Sequence, residues 1–353
     1  MQNEHEIRQR ISLLRILMIF GVVLLHTPPY VPIAEVGTHP FDLLKALFQH
    51  AVFRTTVPVL TCISGYLLFR ASLDQQPRKL ALKKFCTIVV PFLFFNLILL
   101  AAADLLQNGL HVRLGDTVVP NDTRGWMNAA FGLTASPINY PLNFLRDLIA
   151  LMLLAPLFGW MLRRCPWLGL GGVLLVFLNN LDGQFVLRDV MAPVFYIGGL
   201  AAVRKWNLCA LDRYAPVCLA LFVGMCAAVV LLRIANTNYL RLVAPFLIWP
   251  AAALLTPTRI GAWLGRMSKY SFFIFVAHAP VLMVTWLAWR PLAAHLPYPV
   301  YWIAAPVVTT AILVLLYRLA MLAIPDLFGT LIGAAPLPAA RRSPQAGSLA
   351  NAD

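Results

Sequence analysis

Two ionisable side chains, Arg15 and His26, lie within the first apolar segment of the chain, residues 11–30, with ten residues between them. On an α-helix, eleven steps of about 100° amount to about three turns plus 20°, so both side chains fall on one face, about 16 Å apart along the axis. Ionisable groups inside a membrane segment are costly and generally mark a functional site. The spacing therefore predicts a functional stripe that faces one shared cavity.

Each member of this pair has a chemical and a structural interpretation. An imidazole titrates near neutral pH, so His26 can act as a general base. It can equally be an interfacial histidine bonded to a nearby carbonyl. The guanidinium of Arg15 suits a phosphate-rich or carboxylate ligand, or it can anchor the helix by extending to the lipid headgroups.

Other polar residues stand within or beside apolar segments. Arg54 lies near the start of the second apolar segment, residues 51–69, and Ser64 and Gly65 follow deeper in it. Small residues allow close helix packing, which we predict for Gly65, whereas the role of Ser64 stays open. His278 lies in the middle of the ninth apolar segment, residues 270–289, so its side chain faces protein or a cavity. The alternative to a functional role is a buried hydrogen bond that fixes helix packing.

Two adjacent cation–acid couples flank later segments. Arg146 and Asp147 lie near the start of the fourth apolar segment, residues 143–162. Arg188 and Asp189 lie at the start of the sixth, residues 189–203. An intramolecular ion pair is the simpler interpretation of each couple. Hydrogen bonds to sugar hydroxyls are the alternative for Arg146 and Asp147.

The composition indicates an all-α, polytopic membrane protein. The chain is 60% hydrophobic and 12% charged, with a mean hydropathy of +0.77, whereas soluble domains average about 45–50% apolar and 25% charged residues. Segments of spanning length predict about ten transmembrane helices. They are residues 11–30, 51–69, 85–105, 143–162, 168–181, 189–203, 215–232, 239–255, 270–289 and 300–324. The fifth and sixth are short and can instead be re-entrant. Residues 1–334 form the predicted membrane domain, and residues 335–353 a disordered cytoplasmic tail.

The distribution of basic residues predicts the orientation. A net charge of +14 would suggest nucleic acid as the partner of a soluble protein, but here the cations concentrate in alternate loops. By the positive-inside rule these loops, and with them both termini, are cytoplasmic. The residues concerned are Arg8, Arg10, Arg70, Arg78, Lys79, Lys83, Lys84, Arg163, Arg164, Arg204, Lys205, Arg213, Arg259, Arg266, Lys269, Arg341 and Arg342. The opposite side carries the acidic Glu35, Asp42, Asp116 and Asp122.

Several function classes lack their sequence signatures. The chain has no Walker loop, no GxGxxG followed by an acid, no HExxH and no GxSxG, which argues against nucleotide hydrolysis by the usual apparatus. The six cysteines predict neither a disulfide framework nor a metal site.

The motifs, taken in order over about residues 12–324, resemble those of the integral-membrane acyltransferases called acyltransferase family 3. The first helix of that family carries Arg, ten residues and His, as Arg15 and His26 do. Its second helix reads Arg-x-x-x-Pro and then Ile-Ser-Gly-Tyr, which is similar to the run from Arg54 to Tyr66. Further similarities are Lys79, Lys83, Lys84 and Pro91, then Phe195 to Gly199, and Ser268, Ser271 and His278. The family's Trp in the fourth helix is Asn143 here.

This resemblance implies a multi-pass enzyme of the bacterial inner membrane. It would transfer an acyl group, commonly acetyl, from cytoplasmic acyl-CoA to a hydroxyl of a surface glycan or an undecaprenyl-linked precursor. The run Phe144 to Leu148 favours the exopolysaccharide group, whose members include the xanthan-type acetyltransferases. Acyl-CoA is then a substrate, and no bound cofactor or metal is expected. Membrane lipid and the glycan are the other partners.

The resemblance and the helix positions together suggest residue roles. His26 would be the base, Arg54 would stabilise the oxyanion, and Arg15 would hold the CoA side. Substrate binding is assigned to Ser64, Tyr66, Lys83, Lys84, Arg146 and His278. Direct transfer and an acyl-enzyme, with Ser64 as the candidate carrier, both stay open. So do two other functions: a glycan or lipid transporter without acyl chemistry, which the absence of an internal repeat disfavours, and an acyl-sensing receptor.

Overall fold

The computed structural model describes residues 2–111, 118–181, 183 and 185–334, and this part of the chain is helical with no strand. The all-α prediction is confirmed. The predicted tail, residues 335–353, and Asp116 of the acidic loops lie outside the described residues. The α-helices are α1 (Gln2–Leu25), α2 (Pro40–Ala46), α3 (Thr56–Arg70), α4 (Pro77–Lys84), α5 (Val90–Asp104), α6 (Thr123–Phe131), α7 (Asn143–Arg164), α8 (Pro166–Leu178), α9 (Met191–Val203), α10 (Ala215–Leu231), α11 (Asn238–Ala251), α12 (Arg259–Met267), α13 (Ser271–Trp289), α14 (Tyr298–Ala323) and α15 (Pro325–Leu331).

A helix occupies most of each of the ten segments predicted from hydropathy, but fewer are long and apolar enough to cross a membrane. Six continuous helical stretches of the described residues meet that condition: Pro40–Arg70, Pro77–Gly109, Tyr140–Arg164, Asp212–Leu231, Arg259–Leu292 and Tyr298–Ala323. Three apolar helices are shorter: Pro166–Leu178, Met191–Val203 and Asn238–Leu254. The number of crossings and the side of the termini therefore stay predictions.

Helix α1 differs at both ends from the segment predicted for it. It begins at Gln2, because pairs such as Glu6 and Arg10, 2.9 Å apart and four residues apart in sequence, continue the helix through its charged start. It ends at Leu25, shortly before Pro28, since the residue before a proline disfavours helical backbone. His26 therefore sits on the first turn after the helix.

Helices α1 and α3 each pack against other helices of the protein. Helix α1 packs against α3, α12, α13 and α14. Helix α3 lies directly on α9, where a Cβ on Gly65 would overlap the carbonyl oxygen of Phe195, and a Cβ on Gly198 that of Cys62. The packing role predicted for Gly65 is confirmed, since only glycine allows this approach.

Candidate active site

Two cavities lie along the inner face of α1. One, of about 620 Å³, is lined by His26 and is here named the His26 cavity. The other, of about 430 Å³, is lined by Arg15 and is named the Arg15 cavity. Phe275 of α13 lines both, so a single aromatic side chain is common to the two walls.

The stripe on α1 is present, but it serves two cavities. Arg15 and Ile19 line the Arg15 cavity, and Val22 and His26 line the His26 cavity. The expected single shared cavity is not found: the two ends of the stripe line separate cavities, and Phe275 stands in the wall of both. The ring of Phe275, only 3% exposed, packs edge-on against Phe144 at 5.5 Å between centroids.

A second histidine contacts His26 inside the protein. His278 of α13 is fully buried, and its Nε2 lies 3.2 Å from Nδ1 of His26. The other ring nitrogen of His278, Nδ1, lies 2.7 Å from the carbonyl oxygen of Phe275 and 3.2 Å from that of Ile274. The buried hydrogen bond anticipated for His278 is present, and it also brings His278 to His26.

These contacts fix the tautomers of both rings. A carbonyl oxygen only accepts hydrogen bonds, so Nδ1 of His278 carries the proton and donates it to Phe275. The Nε2 of neutral His278 is then an acceptor, and Nδ1 of His26 donates to it. When His26 is neutral as well, its Nε2 then carries a lone pair. This is the state in which an imidazole accepts a proton from a substrate.

Buried polar side chains hold the segment that follows α1 and positions His26. The carbonyl oxygens of this segment accept hydrogen bonds from Lys45 and Gln49, at 2.8 Å to Pro29 and 2.9 Å to Thr27. Both donors come from the helical stretch before α3 and are themselves buried, so these bonds satisfy polar atoms that water does not reach. The position of His26 is thus set by protein contacts on both sides.

Three guanidinium groups line the His26 cavity. Arg54 donates to the carbonyl oxygen of Gln49 at 3.2 Å and to the hydroxyl of Tyr30 at 2.9 Å. Arg188 and Arg241 line the same cavity but were not predicted as site residues. A signal for them existed, since all three arginines lie at the starts of apolar segments on the side predicted to be poor in cations.

An aromatic side chain connects this arginine group to the base. Tyr140 lines the His26 cavity, and its ring meets His26 edge-on at 5.9 Å between centroids. The guanidinium of Arg188 lies 6.0 Å from the centroid of the same ring. Tyr140 was not predicted either, because its segment carries no periodic signal.

The Arg15 cavity collects basic and small polar residues. Lys83 and Lys84 line it together with Arg15, as predicted for the donor side. Ser64 also lines it, and its hydroxyl donates to the carbonyl oxygen of Leu60 at 2.8 Å. Arg15 forms no hydrogen bond or ion pair with any described residue, so its guanidinium is available to a ligand.

Three predicted substrate-binding residues line neither cavity: Tyr66, Arg146 and the fully buried His278. Tyr66 lines an apolar recess between α3, α9 and α11, and its hydroxyl accepts from Arg70 at 3.1 Å. Arg146 donates to backbone carbonyls of the neighbouring loops, including that of Gly132 at 2.7 Å. It also pairs with Asp147 at 2.9 Å, as predicted.

The companion prediction, an ion pair between Arg188 and Asp189, is wrong: no such pair forms within 4 Å among the described contacts. Arg188 turns instead toward the ring of Tyr140, where it lines the His26 cavity. Adjacent positions in sequence do not bring two side chains together when each follows its own local packing.

One group of potential metal ligands occurs among the described residues, and none of its members lines either cavity. Side-chain atoms of Glu6, Cys209 and Asp212 lie within 4.8 Å of one another. Arg10 occupies this group, with ion pairs of 2.9 Å to Glu6 and 2.7 Å to Asp212. Burial raises the pKa of the Cys209 thiol, so the thiolate form that metals bind is disfavoured. The group is better explained as an ion-pair cluster around the buried guanidinium of Arg10.

Comparison with known proteins identifies the family of the chain. Residues 8–318 match the family described as an acyltransferase domain. The chain is also similar to the succinoglycan biosynthesis protein ExoH of Rhizobium meliloti (strain 1021), with 33% identity over 343 residues, which are 92% of this chain and 91% of that protein. No solved structure matches it. The chain therefore belongs to the integral-membrane acyltransferase family that its motifs resemble.

Proposed function

We propose that this protein transfers an acyl group, with acetyl as the first candidate, from acyl-CoA to a hydroxyl of an exopolysaccharide or of its lipid-linked precursor. Family membership supports acyl transfer, and the relative with 33% identity is named as a protein of succinoglycan biosynthesis. The observation that carries the proposal is the pair of histidines. His278 holds Nδ1 of His26 at 3.2 Å, which leaves Nε2 of His26 as a base in a cavity.

The chemistry proposed for His26 follows from this arrangement. A sugar hydroxyl is a poor nucleophile at neutral pH, and a positioned base contributes about 10²–10⁴-fold to such a step. Nε2 takes the hydroxyl proton while the oxygen attacks the thioester carbonyl carbon. The tetrahedral intermediate then expels the thiolate of CoA, and the imidazolium returns the proton to that sulfur. An ester and free CoA are the products.

Arg54 is the proposed stabiliser of the oxyanion. It lines the same cavity as His26, and its bonds to Gln49 and Tyr30 orient the guanidinium. A donor held in place for the developing negative charge contributes about 3 kcal/mol in comparable reactions. His278 acts through His26, so it is a positioning residue.

The two cavities suggest two entrances. We assign the donor to the Arg15 cavity, because Arg15, Lys83 and Lys84 suit the phosphates of CoA. The positive-inside rule puts these residues on the cytoplasmic side of the inner membrane, within a ten-helix arrangement that has both termini in the cytoplasm. The glycan then enters the His26 cavity from the opposite side. The thioester must reach His26 past Phe275.

Reconstitution tests this function. The purified protein in proteoliposomes is supplied with acyl-labelled acetyl-CoA and a lipid-linked oligosaccharide from a host that makes the polymer. Alkali-labile label in the glycan supports the enzyme, and a series of acyl-CoA donors then identifies the acyl group. A glycan that crosses the vesicle without acquiring label would instead support a transporter. His26→Ala protein is the matched control for background transfer.

A further inference from the structure

We propose that Arg188 and Arg241 bind an anionic group of the acceptor, a carboxylate or a phosphate, next to His26. The inference rests on the proposed function, because it specifies the class of glycan that enters the His26 cavity. Both arginines line that cavity together with Arg54. No aspartate or glutamate is among its lining residues.

The two guanidinium groups are incompletely bonded within the described part of the protein. Nη1 of Arg188 and Nε of Arg241 are buried and have no hydrogen-bond partner. Arg241 makes one bond, from Nη1 to the side chain of Asn238 at 3.2 Å. A buried donor without a partner carries an uncompensated cost of desolvation, so each group stands to gain from an acceptor supplied by a ligand.

Acidic residues nearby do not neutralise them. Asp147 attracts Arg188 and Asp189 attracts Arg241, but neither acid forms an ion pair with them among the described contacts. Asp147 is occupied by Arg146 at 2.9 Å and by the backbone NH of Leu187 at 2.9 Å.

The remaining charges near Arg241 are repulsive. Arg54 and Arg188 both lie close enough to oppose its charge. Several positive charges in one partly apolar cavity raise the affinity of that cavity for an anion. The reason is that the attraction between opposite charges is stronger in such a cavity than in water. Phe53 and Met191 are among the apolar residues of this lining.

Other arginines of the chain show that such compensation is normal in this fold. Arg10 pairs with Asp212 at 2.7 Å and Arg163 with Asp74 at 2.6 Å. At these two positions a carboxylate of the protein compensates the charge of the guanidinium. The lack of such a partner at Arg188 and Arg241 among the described contacts indicates that the counter-charge arrives with a substrate.

The position of this pair fits the acceptor and the reaction. The ring centroid of Tyr140 lies 5.9 Å from that of His26 and 6.0 Å from the guanidinium carbon of Arg188. An anion on Arg188 is therefore one aromatic ring away from the base. The bound charge would orient the sugar so that one particular hydroxyl reaches Nε2 of His26.

Direct binding to the full-length protein in nanodiscs of zwitterionic lipid tests the inference. The probes are a trisaccharide that carries one glucuronic acid, the same trisaccharide with glucose in its place, farnesyl pyrophosphate and farnesol. We expect one of the two anionic probes to bind about tenfold or more tightly than its neutral counterpart at low salt. Preference for the uronate identifies an acidic sugar as the source of the charge, and preference for the pyrophosphate identifies the lipid carrier.

Variants then locate the site. Arg188→Gln and Arg241→Gln should each weaken the anionic probe about tenfold and leave the neutral probe unchanged. Arg188→Lys keeps the positive charge but loses the two parallel N–H donors of the guanidinium. Its affinity for the anionic probe should lie between those of Arg188→Gln and the wild type. Arg290→Gln, at an exposed arginine outside the cavity, is the matched control and should bind like wild type. Thermal unfolding of each variant separates lost binding from lost fold.

Equal binding of charged and neutral probes, or Gln variants that bind the anion like wild type, would overturn the inference. Its failure is separable from that of the proposed function. Acyl transfer to an anionic glycan with unchanged kinetics in Arg188→Gln would contradict only the anion site. If the protein binds the anion through these arginines but transfers no acyl group, only the proposed acyltransferase function would be contradicted.

Discussion

Nδ1 of His26 and Nε2 of His278 lie 3.2 Å apart, although 252 residues separate them in the chain. The backbone carbonyl of Phe275 lies 2.7 Å from Nδ1 of His278 and accepts a hydrogen bond from it. Nε2 of His278 is then the acceptor for Nδ1–H of His26. A histidine thus takes the orienting role that a carboxylate has in many hydrolases. With both rings neutral, the arrangement brings no net charge into the buried part of the site.

Removal of the base should abolish most of the activity. We expect His26→Ala to lower acyl transfer about 100-fold or more, because the sugar hydroxyl then loses its proton acceptor. Transfer of label from acyl-CoA to glycan measures the effect. His295→Ala, at an exposed histidine beyond α13, is the control and should keep wild-type activity. Transfer by His26→Ala protein at a near-normal rate would remove His26 from the mechanism.

The role of His278 predicts a different pattern of kinetics. His278→Leu removes the acceptor for Nδ1–H of His26, so kcat should fall about tenfold or more while KM for acyl-CoA stays near wild type. His278→Gln should recover part of kcat, since its amide oxygen accepts the same hydrogen bond. Steady-state kinetics of the two variants check this. A role in packing alone would reduce kcat equally in both.

The cations of the Arg15 cavity should govern affinity for the donor. Arg15→Gln and Lys84→Gln are each expected to raise KM for acyl-CoA about tenfold, since a hydrogen bond to a charged group contributes about 1.5–3 kcal/mol. The value of kcat should change little. Lys79→Gln is the control, because Lys79 lies on α4 but does not line this cavity. Loss of kcat with an unchanged KM would assign these residues to the chemical step instead.

The sequence predicted the parts of the site that depend on a single helix. Apolar length predicted ten segments, and a helix occupies most of each of them. The helical period put Arg15 and His26 on one stripe. Their placement in separate cavities was not predictable in this way, because it depends on Phe144 and Phe275 meeting across two helices. The period of one helix carries no information on what a distant helix inserts against it.

Residues brought in by loops and by other helices were the least predictable. The partner of His26 is on α13, and Arg241 reaches the same cavity from α11. Tyr66 shows the converse: it belongs to the same motif as Ser64, yet the two residues, two positions apart, line different recesses. Two steps on a helix turn a side chain by about 200°, so a motif shared in sequence does not imply a shared cavity.

Phe275 lines both cavities, so its size should control the passage between them. We expect Phe275→Trp to lower kcat about tenfold, because the larger ring narrows the route of the thioester to His26. Binding of acyl-CoA should stay within about threefold of wild type, since Arg15 and Lys84 are untouched. Transfer rates and equilibrium binding of acyl-CoA distinguish the two effects.

The matched control for this passage is Phe272→Trp, because Phe272 lines the Arg15 cavity but not the His26 cavity. The same enlargement at this position leaves the route past Phe275 open, so kcat should stay near wild type. Equal values of kcat for wild type and Phe275→Trp would show that the ring of Phe275 does not limit the passage.

The contact between α3 and α9 should be sensitive to a single methyl group. Gly65→Ala places a Cβ against the carbonyl oxygen of Phe195, which is backbone and cannot rotate away. We expect the two helices to separate and the free energy of unfolding to fall by about 1–3 kcal/mol. Gly171→Ala on α8 is the matched control, since nothing lies within 4 Å of its added Cβ. Unfolding of both variants in the same detergent tests this prediction, and equal stability of the two would show that α3 and α9 can separate without cost.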